Sequence, residues 1–185
     1  MQRDFRHALR DRSRKDHDLV DRMITTLDIT RLDDFANFLQ IHLSCFVLMQ
    51  SRASEPCLST ATLSDMIAEL AADLDILSAK PKTPPLPLPR KLDPLAIDYM
   101  VAGSRLGSKI LCKRWGASTD PRVRRANNYF GQAGDPKLWP ATCRALTAIP
   151  ADGPRAADIV KDTKTQFQLF AAAYAKIATT ETEHV

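Results

Sequence analysis

The stretch "KPKTPPLPLPRKLDP", residues 80–94, places six prolines within fifteen positions: 81, 84, 85, 87, 89 and 94. Each proline lacks an N–H and holds φ near −65°, so neither a helix nor a central strand can cross this segment. It must run extended, close to polyproline geometry. The flanks are too short for two good cores in a chain of 185 residues. The segment therefore reads as a strap across the surface of one domain spanning 1–185, rather than as a linker between two.

On either side the apolar pattern is helical. Phe35, Phe38, Leu39, Leu43, Phe46 and Val47 recur at i, i+3, i+4 spacing. Leu63, Ile67, Leu70, Leu74 and Leu77 do the same, as do Phe167, Phe170, Tyr174 and Ile177. Alternation of period two is scarce, so the fold class is all-α. The pattern predicts helices over residues 3–26, 33–52, 61–78, 94–114, 121–130 and 137–149. A last helix follows Gly153-Pro154, and 179–185 reads as a frayed tail. Cys45, Cys57, Cys112 and Cys143 form no C-x-x-C pair and read as reduced thiols. The first fifteen residues have no apolar signal core, and no apolar run is long enough to span a membrane; the expected location is cytoplasmic.

Formal net charge is +4, and residues 105–125 hold seven basic side chains against one acid, Asp120. That patch suits an acidic protein, a small anion or nucleic acid. As an isolated feature it is more simply a solvated face. Nucleic acid ranks last, because no recognition helix accompanies the charge.

Two helices carry candidate chemistry. On the first, Arg10, Arg14, His17 and Asp21 share one stripe. His17 sits at the edge of the apolar face. One ring nitrogen there can bind a metal while Asp21 orients the other. The same pattern also suits a histidine on a solvated, charged face. On the fourth, Gly103 and Gly107 stand one turn apart, each costing the helix about 1 kcal/mol relative to alanine. Bare backbone there serves either close helix packing or a planar ligand pressed against the main chain.

"LRDRSRKDHDLVD", "DYMVAGSRLGSKIL" and "KTQFQLF", in this order and spacing, resemble the heme oxygenases, closest to the bacterial type associated with phytochromes. The resemblance spans nearly the whole chain and implies a heme oxygenase-like helical bundle. It implies cleavage of heme, both substrate and cofactor, to biliverdin, carbon monoxide and ferrous iron, with O2 and an external electron donor. By position, His17 would be the axial iron ligand, with Asp21 behind it. Gly103 and Gly107 would face the ring from the distal side. Arg10, Arg14 and Arg144 would hold propionates, and Tyr99 and Phe167 would line the pocket. The implied partners are an acidic ferredoxin or reductase at the basic patch and a bacteriophytochrome receiving biliverdin.

Two positions depart from the family. Ser104 stands where many members carry an aspartate that organises proton-delivering water, as it also tends to do in the phytochrome-linked branch. Ser108 replaces a later glycine, and its side chain would crowd the approach. These changes leave open a heme- or tetrapyrrole-binding or regulatory protein with weak or no turnover. His42 reads as a core histidine, and Trp115 and Trp139 as packing residues.

Overall fold

A computed structural model describes residues 4–82, 84, 86, 87, 90–132 and 134–178. The expected tail, with His184, lies outside the described residues. So do positions 1–3 and Pro85 and Pro89 of the strap.

Among the described residues the chain forms eight helices and no strand beyond an isolated bridge, Ala53 to Leu92. They are α1 (Phe5–Thr25), α2 (Leu32–Ser51), α3 (Thr60–Ile76), α4 (Pro94–Trp115), α5 (Pro121–Arg125), α6 (Asn128–Gly131), α7 (Leu138–Thr147) and α8 (Pro154–Ile177). This is an all-α, single-domain helical bundle. Its helices follow the expected periodicities within a few residues, with one exception. The helix expected over 121–130 is two short ones, parted at Ala126, whose ψ is 80°. Its second half is claimed by a buried carboxylate: Asp73 accepts from the backbone N–H of Asn128 (2.8 Å) and of Tyr129 (2.9 Å). Those donors restart a helix at Asn128 instead of continuing the first one.

The last helix, α8, is the hub, packing against α1, α2 and α4. Phe35, Phe38, Leu39, Phe46 and Leu70 are fully enclosed in the main core. Each such side chain contributes about 1.5–3 kcal/mol of apolar transfer. A smaller core of Phe5, Leu9, Leu95, Leu146 and Ile159 joins α1, α4, α7 and α8. Val47 is the exception on the α2 stripe: it is exposed, and His42 and Cys45 are buried on that helix instead.

The described residues at the two ends of the proline-rich segment are tied to the bundle. Gln40, buried on α2, holds the first end from both sides, donating to the Lys80 carbonyl (3.2 Å) and accepting from the Lys82 N–H (2.7 Å). Ser44 donates to the Lys82 carbonyl (3.1 Å). At its far end, the buried Asp162 of α8 pairs with Arg90 and accepts from the Asp93 N–H (2.8 Å). The segment thus delivers the chain to Asp93, which caps α4 by accepting from the Leu95 N–H (2.8 Å), with Pro94 in the first turn.

One turn further, Asp98 is buried and fixes the entry of α3. It accepts from the Ser59 N–H (2.8 Å), the Ser59 hydroxyl (2.7 Å) and the Leu58 N–H (3.3 Å). Burial raises its pKa against the opposing pull of these donors. The N-terminal half of α4, and with it the placement of Gly103, is therefore tied to α3, α7 and α8.

Candidate functional site

Beyond the small core shared by their N-terminal turns, α1 and α4 do not pack closely: α1 rests on α8 and α7, and α4 on α7 and α8. The space between them is a cavity of about 700 Å³, within the range of roughly 300–1,000 Å³ usual for small-molecule and cofactor sites.

One wall is α1. Arg6, Arg10, Ser13, His17, Asp21 and Ile24 line the cavity at spacings of four, three, four, four and three, a continuous helical stripe. Arg14 borders the same stripe. Three guanidinium groups thus lie along the N-terminal part of this wall. Arg6 donates to His7 Nε2 (2.8 Å), and His7 Nδ1 donates to Asp4 (2.7 Å). The His7 backbone N–H, bonded to the same carboxylate, holds the Asp4 pKa below its ordinary value.

His17 is half-exposed at this wall, and its ring meets Phe167 of α8 edge-on at 5.5 Å between centroids. Two carboxylates approach Nδ1, Asp18 at 3.4 Å and Asp21 at 3.5 Å. The orienting role expected of Asp21 alone is shared with Asp18. Both acids address the same nitrogen, which leaves Nε2 as the one a ligand would use.

The opposite wall is α4, presenting Tyr99, Gly103, Ser104, Gly107, Leu111 and Arg114. A Cβ built on Gly103 or on Gly107 meets nothing within 4 Å. Close helix–helix packing is thereby ruled out as the reason for these glycines, since no neighbouring helix occupies the space they leave. The absent side chains open the cavity over a turn of bare backbone. Burial raises the pKa of Tyr99, whose ring lies 5.9 Å from that of Trp139. Trp139 also lines the cavity, so it is more than the packing residue expected.

Nine of the ten residues singled out from the sequence meet at this one cavity: Arg10, Arg14, His17, Asp21, Tyr99, Gly103, Ser104, Gly107 and Phe167. Arg144 does not. The buried positions of α7 are Leu138, Thr142 and Leu146, and Arg144, two residues from Thr142, points to the opposite, exposed side. Ser108 departs from expectation as well. It does not line the cavity, and its hydroxyl turns back to the Arg105 carbonyl (2.8 Å), so it crowds nothing.

The basic patch is reduced by internal pairing. Arg105 is bound to Glu69 and to the Tyr129 carbonyl (3.0 Å). Arg114 donates to the carbonyls of Thr25 (3.3 Å) and Leu27 (2.9 Å), completing the end of α1. Arg122 pairs with Asp120, and Arg124 lies over the Trp115 ring. Lys109, Lys113 and Arg125 remain as exposed cations.

Several lining residues were not foreseen. Arg6 stands one turn before Arg10 on the same stripe, a signal present in the spacing. His42 and Tyr129, at the cavity wall, come from α2 and α6 and carry no such signal. His42 sits among apolar residues at core spacing, and only the fold shows that its ring borders a cavity.

The described residues hold no cluster of three or more His, Cys, Asp or Glu able to bind a bare metal ion, and no helix long and apolar enough to cross a membrane. A porphyrin, however, brings four nitrogen ligands of its own and asks one imidazole of the protein. Comparison of the chain with protein-family models, with curated proteins and with solved structures returned no match in any of the three.

Proposed function

We propose that the chain binds heme between α1 and α4 and cleaves it oxidatively to biliverdin, carbon monoxide and ferrous iron. The observation that supports this reading best is the pairing of walls: one imidazole on α1 faces, across the same cavity, a turn of α4 that carries no side chains at Gly103 and Gly107. A flat ring needs such a slot, and the residues present fit it. When bound, heme supplies the redox chemistry and activates O2, with electrons from an external donor.

The chain's own part is binding, orientation and proton placement. His17 Nε2 would hold the iron, with Asp18 and Asp21 fixing the ring through Nδ1. Arg10 and Arg14, with Arg6 in the place expected of Arg144, would clamp the propionates and fix the ring's rotation in its plane. The Gly103–Gly107 backbone would confine the opposite face, and Ser104 would hold a proton-bearing water there. Exposed Lys109 and Lys113 flank exposed Ile110 on α4 and would dock an acidic donor such as a ferredoxin. The product's recipient would be a bacteriophytochrome.

A second reading, heme or tetrapyrrole binding without turnover, draws its support from Ser104, a neutral group where many members of the resembled family carry a carboxylate. Nucleic-acid binding weakens further, since four of the seven basic residues in the patch are engaged within the protein.

Titration with hemin tests the site: a sharp Soret band is the expected outcome, and its survival unchanged in His17→Ala would sink the assignment of the ligand. Reductant under air then separates the two heme readings. Loss of the Soret band with growth of a broad red absorption means turnover, and a persistent ferrous–oxygen spectrum means binding alone.

A further inference from the structure

The slot between α1 and α4 leaves two polar groups of the cavity unused, the imidazole of His42 and the phenol of Tyr129. They come from α2 and α6, their ring centroids are 6.1 Å apart, and they are 7% and 2% exposed. His42 Nδ1 lies 2.8 Å from the Phe38 carbonyl. A carbonyl only accepts, so Nδ1 carries the proton and Nε2 the lone pair. Among the described residues no hydrogen bond joins Nε2 or the Tyr129 hydroxyl to a protein group.

The surroundings are aromatic: Phe38, Phe46 and Phe170 lie 4.1, 5.8 and 5.3 Å from the His42 ring. An apolar corner of this kind would be filled at no polar cost by leucine and phenylalanine. Instead it holds an acceptor and a hydroxyl on neighbouring rings, both open to the cavity, and polar atoms without a protein partner there call for water or a ligand. Two polar groups in an otherwise apolar stretch of cavity wall are where an ordered water belongs.

We propose that His42 and Tyr129 form a polar subsite in the cavity that holds a water molecule, which donates to His42 Nε2 and accepts from the Tyr129 hydroxyl. The imidazole stays neutral there because desolvation lowers its pKa to about 4. Among the described residues the only titratable side chain in ring contact with it is Tyr129, and burial pushes that phenol's pKa up. Behind Tyr129 stands the Arg105–Glu69 pair, and the other ionisable groups lining the cavity belong to α1 and to Tyr99 and Arg114 of α4. Resting on the heme reading, the water would serve as a store of protons for Ser104, whose hydroxyl lines the same cavity without a charge of its own. His42 and Tyr129 are then positioning residues, acting through the water.

The subsite is tested first without heme. In the full chain labelled with 15N-histidine, the expected spectrum at neutral pH shows His42 as the Nδ1–H tautomer, with a hydrogen-bonded Nε2 resonance. Tyr129→Phe should shift that resonance, whereas Phe170→Leu, which alters packing but no polar group, should leave it in place. An Nε2–H tautomer, or equal shifts in the two variants, overturns the subsite. With hemin bound, His42→Leu and Tyr129→Phe should slow single turnover by about tenfold, less than the loss of a direct general acid because the donor is one water removed. Hemin affinity should stay within about twofold, and His42→Gln should restore most of the rate. Undiminished turnover in His42→Leu overturns the catalytic part. If hemin does not bind at all, the heme reading falls while the nitrogen spectra still decide the subsite.

Discussion

The two halves of α4 are built to opposite ends. From Leu95 to Ala102 every residue but Tyr99 is buried, and Asp98 nails the helix to the entry of α3. From Gly103 to Arg114 none is buried; two glycines face open space, and Ile110 is 73% exposed. One continuous helix thus carries a half that is buried in the fold and a half that leaves its Gly103–Gly107 face open, with Leu111 and Cys112 still resting on the core. The difference marks the stretch of α4 that the proposed function would use: its first turns are tightly held, while the Gly103–Gly107 face meets no side chain of the protein.

Substitutions in the two halves should therefore have opposite signs. The largest effect is expected from Asp98→Ala, which strands the Leu58 and Ser59 N–H groups in a buried setting. Unfolding free energy should fall by about 3–4 kcal/mol, measured by urea titration; a loss under about 1 kcal/mol would mean that the held half is not held by this carboxylate.

Acidification should bring the next largest change, from His42 on the cavity wall. Its pKa falls from 6.5 to about 4 on folding. Between those values the unfolded chain binds the proton and the folded chain does not. Stability therefore rises with pH across that window and is lost as the pH falls from 6.5 towards 4, by about 3 kcal/mol in total. His42→Phe should flatten this part of the profile relative to the parent protein. Superimposable pH profiles would show that His42 titrates alike in both states.

In the open half the sign reverses. Gly107→Ala places its methyl in unoccupied space and removes the helix cost of glycine. It should raise stability by up to about 1 kcal/mol, read as a higher urea midpoint. Gly103→Leu should be close to neutral or mildly stabilising, yet block the slot and abolish the hemin Soret change. A destabilised Gly107→Ala would place a neighbour against that face and break the contrast between the halves. The smallest effect is expected at Arg144, on the exposed side of α7. Arg144→Ala should leave hemin affinity within about twofold, while Arg10→Ala weakens it by about tenfold, on the scale of a lost charge-assisted hydrogen bond.

Much of this was legible in the chain itself. The α1 stripe from Arg10 to Asp21 and the α4 stripe from Tyr99 to Gly107 are local facts, since helical spacing alone puts each set on one face. Arg6, one turn before Arg10, is equally legible from the spacing. Positional resemblance takes no account of helix phase, and Arg144 lies away from the cavity: the spacing of Leu138, Thr142 and Leu146 turns it outward. The length of the helix expected over 121–130 failed for a different reason: its break is imposed by Asp73, more than fifty residues away in the chain.

The sequence by itself determined that the chain is helical, that prolines interrupt it once, and which residues share each helix face. Those follow from backbone sterics and from a period of 3.6, which act over a few neighbouring residues. Only the tertiary structure decided that the Gly103–Gly107 face meets a void instead of a partner helix, that the basic run is largely spent on carbonyls and carboxylates, and that His42 borders the cavity. These depend on which faces lie opposite one another, a matter of long-range packing that no local pattern encodes.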